Sequence, residues 1–430
     1  MKTPRLSKHF QNRTPSVIRS SQIEYSKRSD KKSVHVINLA IGNISLPMHP
    51  SMISRLKNLG HESFENGIVK YTSTDGNKET KDAFLNILAA EGIDTKGIYV
   101  NITDGGSAAM ELMMLGVCNP GSNDTIMLLD PAYTNYYDFA KRFDVKIVST
   151  TRSFNEDGSF AQIDIAKIEK ILKVKKPKGL VVIPFDNPTG QFISQNDLEK
   201  IGSLCVKYGV WLISDEAYRS IYYTNDEKSS SIWNLTESCL SGISGIRIGI
   251  ESSSKIWNAC GLRIGALLTD NPGFHEKAVS EYTANLCANA LGQNIFGSLA
   301  NESHNSILSW FDKQKKYYQK IIFKMKNEFE KLIPGIIISN PEAAIYFIID
   351  LKNIVDKDFD SVDFTMYCAT KGKVKIDNEY YTLFLAPMKG FYINPQYGTT
   401  QLRVAMVEDY RIMIKAPFIL SKLLNKYLNR

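Results

Sequence analysis

The chain has 430 residues, 43% of them hydrophobic and 23% charged, with a mean hydropathy of −0.20. That balance describes a globular protein of two or three domains, and no apolar run approaches the roughly 20 residues of a membrane span. The net charge of +7 is local: residues 1–32 hold nine Lys/Arg against two Asp/Glu, and the rest carries 43 of each sign. A basic tail could touch nucleic acid or direct import. This one has no apolar core of a secretory signal, and "SVIRSSQIEYSKRS" has helical character and leads straight into "VHVINLAIGN". An arm of the fold itself is therefore expected.

From there the elements alternate. "IYVNIT" (98–103) is strand-like, and "SAAMELMMLGV" (107–117) reads as a buried helix. Six more short apolar runs follow, at 125–130, 146–151, 179–185, 210–215, 247–252 and 264–269. Runs of this kind suit strands covered on both faces. The clearest intervening helix is "SQNDLEKIGSLCVKYG". Ser194 and Asp197 resemble a capping box, one apolar stripe runs from Leu198 to Tyr208, and Gly209 stands where a left-handed residue ends a helix. The last third differs, with a long helical pattern over 305–332, shorter strands, and a helix near 409–428. The expectation is an α/β large domain, 51–300, with a mainly parallel seven-stranded sheet flanked by helices. A smaller α+β domain would be built from 301–430 and an N-terminal arm, 1–50. The six cysteines (Cys118, Cys205, Cys239, Cys260, Cys287, Cys368) form no C-x-x-C, so reduced thiols and a cytoplasmic location are expected. The six histidines do not cluster, and no metal-ligand spacing is present.

Ligands of open parallel sheets bind beyond the C-terminal strand ends, and five ends here carry chemistry. "DGGSAAM" opens a helix with Gly105, Gly106 and Ser107, a place where backbone N–H groups favour a phosphate; a plain loop is the ordinary alternative. "PAYTNYY" offers the ring face of Tyr133, and "DNPTG" the amide of Asn187. "DEAYRS" follows a buried strand with Asp215, a carboxylate that wants a cationic partner or else caps the next helix, and with the phenol of Tyr218. "SSSKIWNACGLRIG" (252–265) sets Lys255 beside Ser252 and Ser254, with Arg263 eight residues on. A solvated lysine is the usual fate of that residue. Beside cationic groups and out of water, however, an amine can become a nucleophile toward a carbonyl.

"DNPTG", "SDEAY" and the lysine stretch, in this order and spacing, resemble the fold-type I pyridoxal-phosphate enzymes, specifically the class I and II aminotransferases of the aspartate/aromatic-like subgroup. The resemblance runs from about Val36 to Ala405. It implies pyridoxal 5'-phosphate as cofactor and no metal, with Lys255 joined to its aldehyde and later shuttling the substrate Cα proton. Asp215 would pair with the ring nitrogen, Asn187 and Tyr218 would contact the ring oxygen, and Tyr133 would stack on the ring. Gly106, Ser107, Ser252, Ser254 and Arg263 would bind phosphate. Tyr71, in "YTSTDG", would reach the phosphate of a neighbouring subunit, implying a homodimer with shared sites. Arg403, in "QLRVAMV", would clamp the substrate α-carboxylate, with Asn187 and with Gly42 of "LAIGN" also on the substrate side. Neither nucleic acid nor membrane is implied as a partner. Three departures bear on substrate preference: Asn258 where glycine is usual, "PEAAIYF" in place of a glycine-bearing segment, and "AIGNISLP" without an acidic residue. The expected activity is ping-pong transfer of an amino group from an L-amino acid to a 2-oxo acid such as 2-oxoglutarate. A lyase on the same fold, eliminating or cyclising, is the alternative. A non-catalytic regulator would need a DNA-binding domain, for which residues 1–35 are too short.

Overall fold

The computed structural model describes residues 3–224 and 229–430. The chain folds as two compact units. The larger comprises Asn43–Phe323 and Ser339–Phe347; the other comprises Met1–Gly42, Lys324–Ile338 and Ile348–Arg430.

The seven apolar runs form one sheet in the larger unit. Its spatial order is Tyr99–Thr103, Gly265–Thr269, Arg247–Ser252, Trp211–Asp215, Gly179–Val182, Thr125–Asp130, Lys146–Thr151. Four of the neighbour pairs are parallel, and only Gly265–Thr269 runs against the strands on its two sides. Three inner strands, Gly179–Val182, Arg247–Ser252 and Gly265–Thr269, are buried along their whole length, which suits their apolar pattern. Helix Gly106–Val117 covers one face and buries Met110, Met113 and Met114 against Ile126, Val181, Ile213 and Ile248. Each such side chain contributes about 1.5–3 kcal/mol on leaving water, so the strand ends rest on a stiff base. Helix Gln195–Tyr208 begins as its sequence suggests. The Ser194 Oγ accepts from the Asp197 amide at 3.1 Å, and Gly209 closes it in the left-handed region.

In the other unit the arm does join the C-terminal part. Strand Val34–Asn38 pairs in parallel with Glu379–Phe384, and Val374–Ile376 pairs antiparallel to the latter. Helix Val17–Ser26 lies in that arm, and the expected C-terminal helix is divided into Tyr410–Met413 and Ala416–Leu428.

Two turns of the larger unit meet where "DNPTG" touches "PEAAIYF". The Gly190 carbonyl accepts from the amides of Glu342 and Ala343 at 2.8 and 2.7 Å. Gly190 has φ +71°, and a Cβ there would lie 2.3 Å from the Tyr346 carbonyl oxygen. Nearby, Ala344 occupies the left-handed region at φ 56°, where an L side chain costs roughly 1–2 kcal/mol. This is where the sequence departs from a glycine-bearing pattern, and the departure carries backbone strain. Gly190→Ala should therefore destabilise the protein by about 2–4 kcal/mol, whereas Ala344→Gly should stabilise it by up to about 1 kcal/mol. Thermal or urea denaturation of the two variants checks both signs.

Candidate active site

Ten of the eleven residues expected to hold a cofactor line one cavity of about 650 Å³, part of it open to solvent. At one end are Gly106, Ser107, Ser252, Ser254 and Arg263; at the other are Asp215, Tyr218, Asn187 and Tyr133; Lys255 and Cys260 complete the rim, over apolar walls from Met110, Ile183 and Ile250. Lys255 and Asp215, forty residues apart in sequence, thus open into the same space.

The first end is built for an anion. The opening amides of helix Gly106–Val117 have no side-chain cap and, like those of any helix start, no intrahelical acceptor. Ser252 Oγ lies 2.8 Å from Ser254 Oγ, and the Ser254 amide donates to Ser252 Oγ at 3.1 Å, so both hydroxyls are held beside the turn. Asn135 Nδ2 reaches Ser107 Oγ at 3.5 Å. The Arg263 guanidinium donates to the carbonyls of Cys260 and Asp104 at 3.1 and 3.3 Å, and it sits where a Cβ on Gly105 would be, 2.3 Å away. A Cβ on Gly265 would meet the backbone of Gly105 and Gly106 at 2.5 Å. The glycines of the two motifs are therefore what let the lysine loop close on the helix start. Hydroxyls, amides and one arginine around a backbone-lined hollow match a phosphate.

The lysine loop is anchored from behind. Asn258, the departure from glycine, has φ 54°, a region asparagine tolerates better than other L residues. Its Nδ2 donates to the Pro47 carbonyl at 2.9 Å and to Gln314 Oε1 at 3.2 Å. Trp257 is buried, parallel to Trp310 at 6.2 Å between ring centroids, and Trp310 Nε1 donates to the Ile256 carbonyl at 2.7 Å. The backbone amide of Asn258 donates to the Lys255 carbonyl at 3.0 Å.

At the other end Asp215 ends its strand almost wholly buried, 6% exposed. It accepts from Tyr136 Oη at 3.0 Å and from the Ala217 amide at 3.2 Å. Burial nonetheless pushes its pKa up to about 6; Ala217 and Tyr136 oppose that rise, while Glu216 and Asp186 add to it. No cation of the chain is bonded to it among the described residues, so a cationic ring nitrogen in the cavity would meet the need that burial creates. With the phosphate cradle, this makes the donor set fit pyridoxal phosphate at both ends. Asp186, beside Asn187, is instead paired with buried Arg152 at 2.6 Å.

Sequence reading missed several contributors. Tyr136 was expected near the site only as an aromatic; its hydroxyl donates to Asp215, a role its place one helical turn after Tyr133 could have marked. The buried Arg219 guanidinium, four residues after Asp215, is shared by Glu91, Glu216 and Glu251. One arginine cannot balance three carboxylates, and desolvation leads in pushing Glu251 up to about 8. Cys260 lines the cavity, and of the six cysteines, all free, three are buried. Tyr71 lies outside the cavity, 77% exposed, next to exposed Ile68 and Val69. Gly42 and Arg403 belong to the other unit, where Arg403 is buried and its Nη2 donates to the Ala40 carbonyl at 2.7 Å. Among the described residues no helix is long and apolar enough to cross a membrane, and no acid, histidine and cysteine cluster could hold a metal.

The family model described as aminotransferase class I and II matches residues 34–410. Among curated proteins, the chain is 26% identical over 363 residues to an aspartate aminotransferase of Sulfurisphaera tokodaii, spanning 82% of this chain and 84% of that one. It is 24% identical over 294 residues to a cystathionine β-lyase of Bacillus subtilis, spanning 68% and 72%. Among solved structures, Bna3p of Saccharomyces cerevisiae has the same fold, with a TM-score of 0.82 at 19% identity over 99% of this chain and 100% of that one.

The raised value of Asp215 has a measurable consequence. The native state keeps a proton that the unfolded chain releases, so stability falls as pH rises from about 4 through about 6. At about 1.4 kcal/mol per pH unit the ionised carboxylate costs the cofactor-free protein about 3 kcal/mol. Asp215→Asn should therefore melt higher than the parent at pH 8, both without cofactor, and the gap should close near pH 4. Equal gaps at the two pH values would contradict the account.

Proposed function

The chain belongs to the class I and II aminotransferases, and we propose that it uses pyridoxal 5'-phosphate, held through Lys255 as a Schiff base, in a homodimer with shared sites. The activity is transfer of an amino group between an L-amino acid and a 2-oxo acid such as 2-oxoglutarate, in two half-reactions. The observation that carries this reading is one cavity lined by an amine, a buried carboxylate and the residues of an anion cradle.

Bound there, the cofactor's cationic ring would take up the electron pair released at the substrate Cα. The protein's part follows from its residues. Asp215 would hold the proton on the ring nitrogen, its burial making that pairing strong. Tyr218 and Asn187 would donate to the ring oxygen, and Tyr133 would cover a ring face. Ser107, Ser252, Ser254, Arg263 and the amide of Gly106 would hold the phosphate. Lys255 Nζ, once displaced by the substrate amine, would remove the Cα proton. Arg403 would clamp the substrate carboxylate, a fork-to-fork task for which lysine is a poor substitute, with Gly42 and Asn187 helping to enclose it. Tyr71, exposed beside Ile68 and Val69, would reach the phosphate of the second subunit, and that apolar stretch would be covered on dimerisation.

The similarity to a cystathionine β-lyase keeps elimination on the same site as the second reading. Incubation with single amino acids separates the two: transamination yields pyridoxamine phosphate and an oxo acid, elimination yields ammonia and pyruvate. Lys255→Ala should lose the visible absorbance of the lysine-linked cofactor and reduce turnover by at least about 10⁴-fold. Full activity in that variant would rule the mechanism out.

A further inference from the structure

Tyr218 does not stand alone. Its hydroxyl lies 2.6 Å from that of Tyr346, a residue of "PEAAIYF" at the start of strand Tyr346–Asp350. The two rings meet edge to face, 5.5 Å between centroids. Both are almost fully buried, at 4% and 2% exposure. Tyr346 does not line the cavity; it stands behind Tyr218, within the same compact unit. Tyr318 is also fully buried, and its hydroxyl has no hydrogen-bond partner among the described residues. The segment carrying Tyr346 is pinned by Ala344, whose amide donates to the Ile221 carbonyl at 2.8 Å and whose carbonyl accepts from Tyr223 Oη. The strained turn described above thus fixes where Tyr346 stands.

A phenol has one proton and two acceptor sites. If Tyr218 is to donate to a ring oxygen in the cavity, the 2.6 Å contact must run the other way, from Tyr346 to Tyr218. We propose that Tyr346 is a positioning residue: its hydroxyl donates to Tyr218 Oη and so directs the single Tyr218 proton toward the ring oxygen of the bound cofactor. Hydrogen bonds in such a chain polarise one another in a low-dielectric setting, so the ring oxygen carries less free charge than Tyr218 alone would leave on it. This rests on the cofactor reading given above. The other ionisable groups on the cavity are Asp215 with Tyr136 behind it, Tyr133, Lys255, Cys260 and Arg263, and Tyr346→Phe leaves each of them in the chain.

The test is a spectroscopic pH titration of the protein reconstituted with pyridoxal phosphate, without substrate. The visible band follows the proton on the nitrogen that joins lysine to cofactor, and a more negative ring oxygen holds that proton more tightly. Tyr346→Phe should raise the titration midpoint by about half a unit, the size one neutral hydrogen bond supports. Tyr218→Phe should raise it further, and adding Tyr346→Phe to that background should change nothing more. A 4-aminophenylalanine at position 346, which keeps a donor, should restore the parental midpoint; it also serves if Tyr346→Phe does not fold. An unchanged midpoint overturns the inference. A lowered one does too, since it would mean that Tyr218 donates to Tyr346. A further rise in the double variant would show that Tyr346 acts by another route. If the parent protein binds no cofactor through Lys255, the cofactor reading itself is lost, which is a separate and visible outcome.

Discussion

A carboxylate carried out of water at the end of a parallel strand is the constraint around which the larger unit is arranged. Asp215 is nearly inaccessible, and its two hydrogen bonds, from Tyr136 and Ala217, do not offset its desolvation. Such a group is stable as an anion only beside a positive charge, and the chain bonds none of its own to it among the described residues. The cavity that Asp215 lines gives such a charge access to it. The same dry setting that makes Asp215 costly for the ligand-free protein makes it a strong partner for a cationic heterocycle.

Around that point the structure exchanges stability for geometry in several places. Ala344 and Asn258 sit in left-handed backbone, and one guanidinium, Arg219, holds Glu91, Glu216 and Glu251 together. These particular features flank the candidate site: Glu216 adjoins Asp215, Glu251 adjoins Ser252, Asn258 is in the lysine loop, and Ala344 precedes Tyr346 by two residues. Strain of this kind persists only where the surrounding packing over-determines it. The stacked Trp257 and Trp310, and the methionine-rich helix under the strand ends, supply that packing.

The departures from the family pattern take on physical meaning in this setting. Asn258 keeps the left-handed turn that glycine would make easily and adds two anchors, to Pro47 and Gln314. "PEAAIYF" keeps a left-handed turn at Ala344 and places a phenol, Tyr346, against Tyr218.

Much was legible in the chain itself. The seven apolar runs became the seven strands, and most of the cavity's chemical residues end a strand or follow it by a few positions, because a strand end and the turn after it are local events written in adjacent residues. The glycine spacing around Lys255 and Arg263 was readable for the same reason. What only the tertiary structure decided are the pairings across long separations: Tyr136 on Asp215, Tyr346 on Tyr218, Glu91 and Glu251 on Arg219, Gln314 on Asn258. No local propensity encodes these, since each depends on how helices and crossovers bring distant segments together. They in turn set the burial and hydrogen bonding from which the charge state of the candidate site follows.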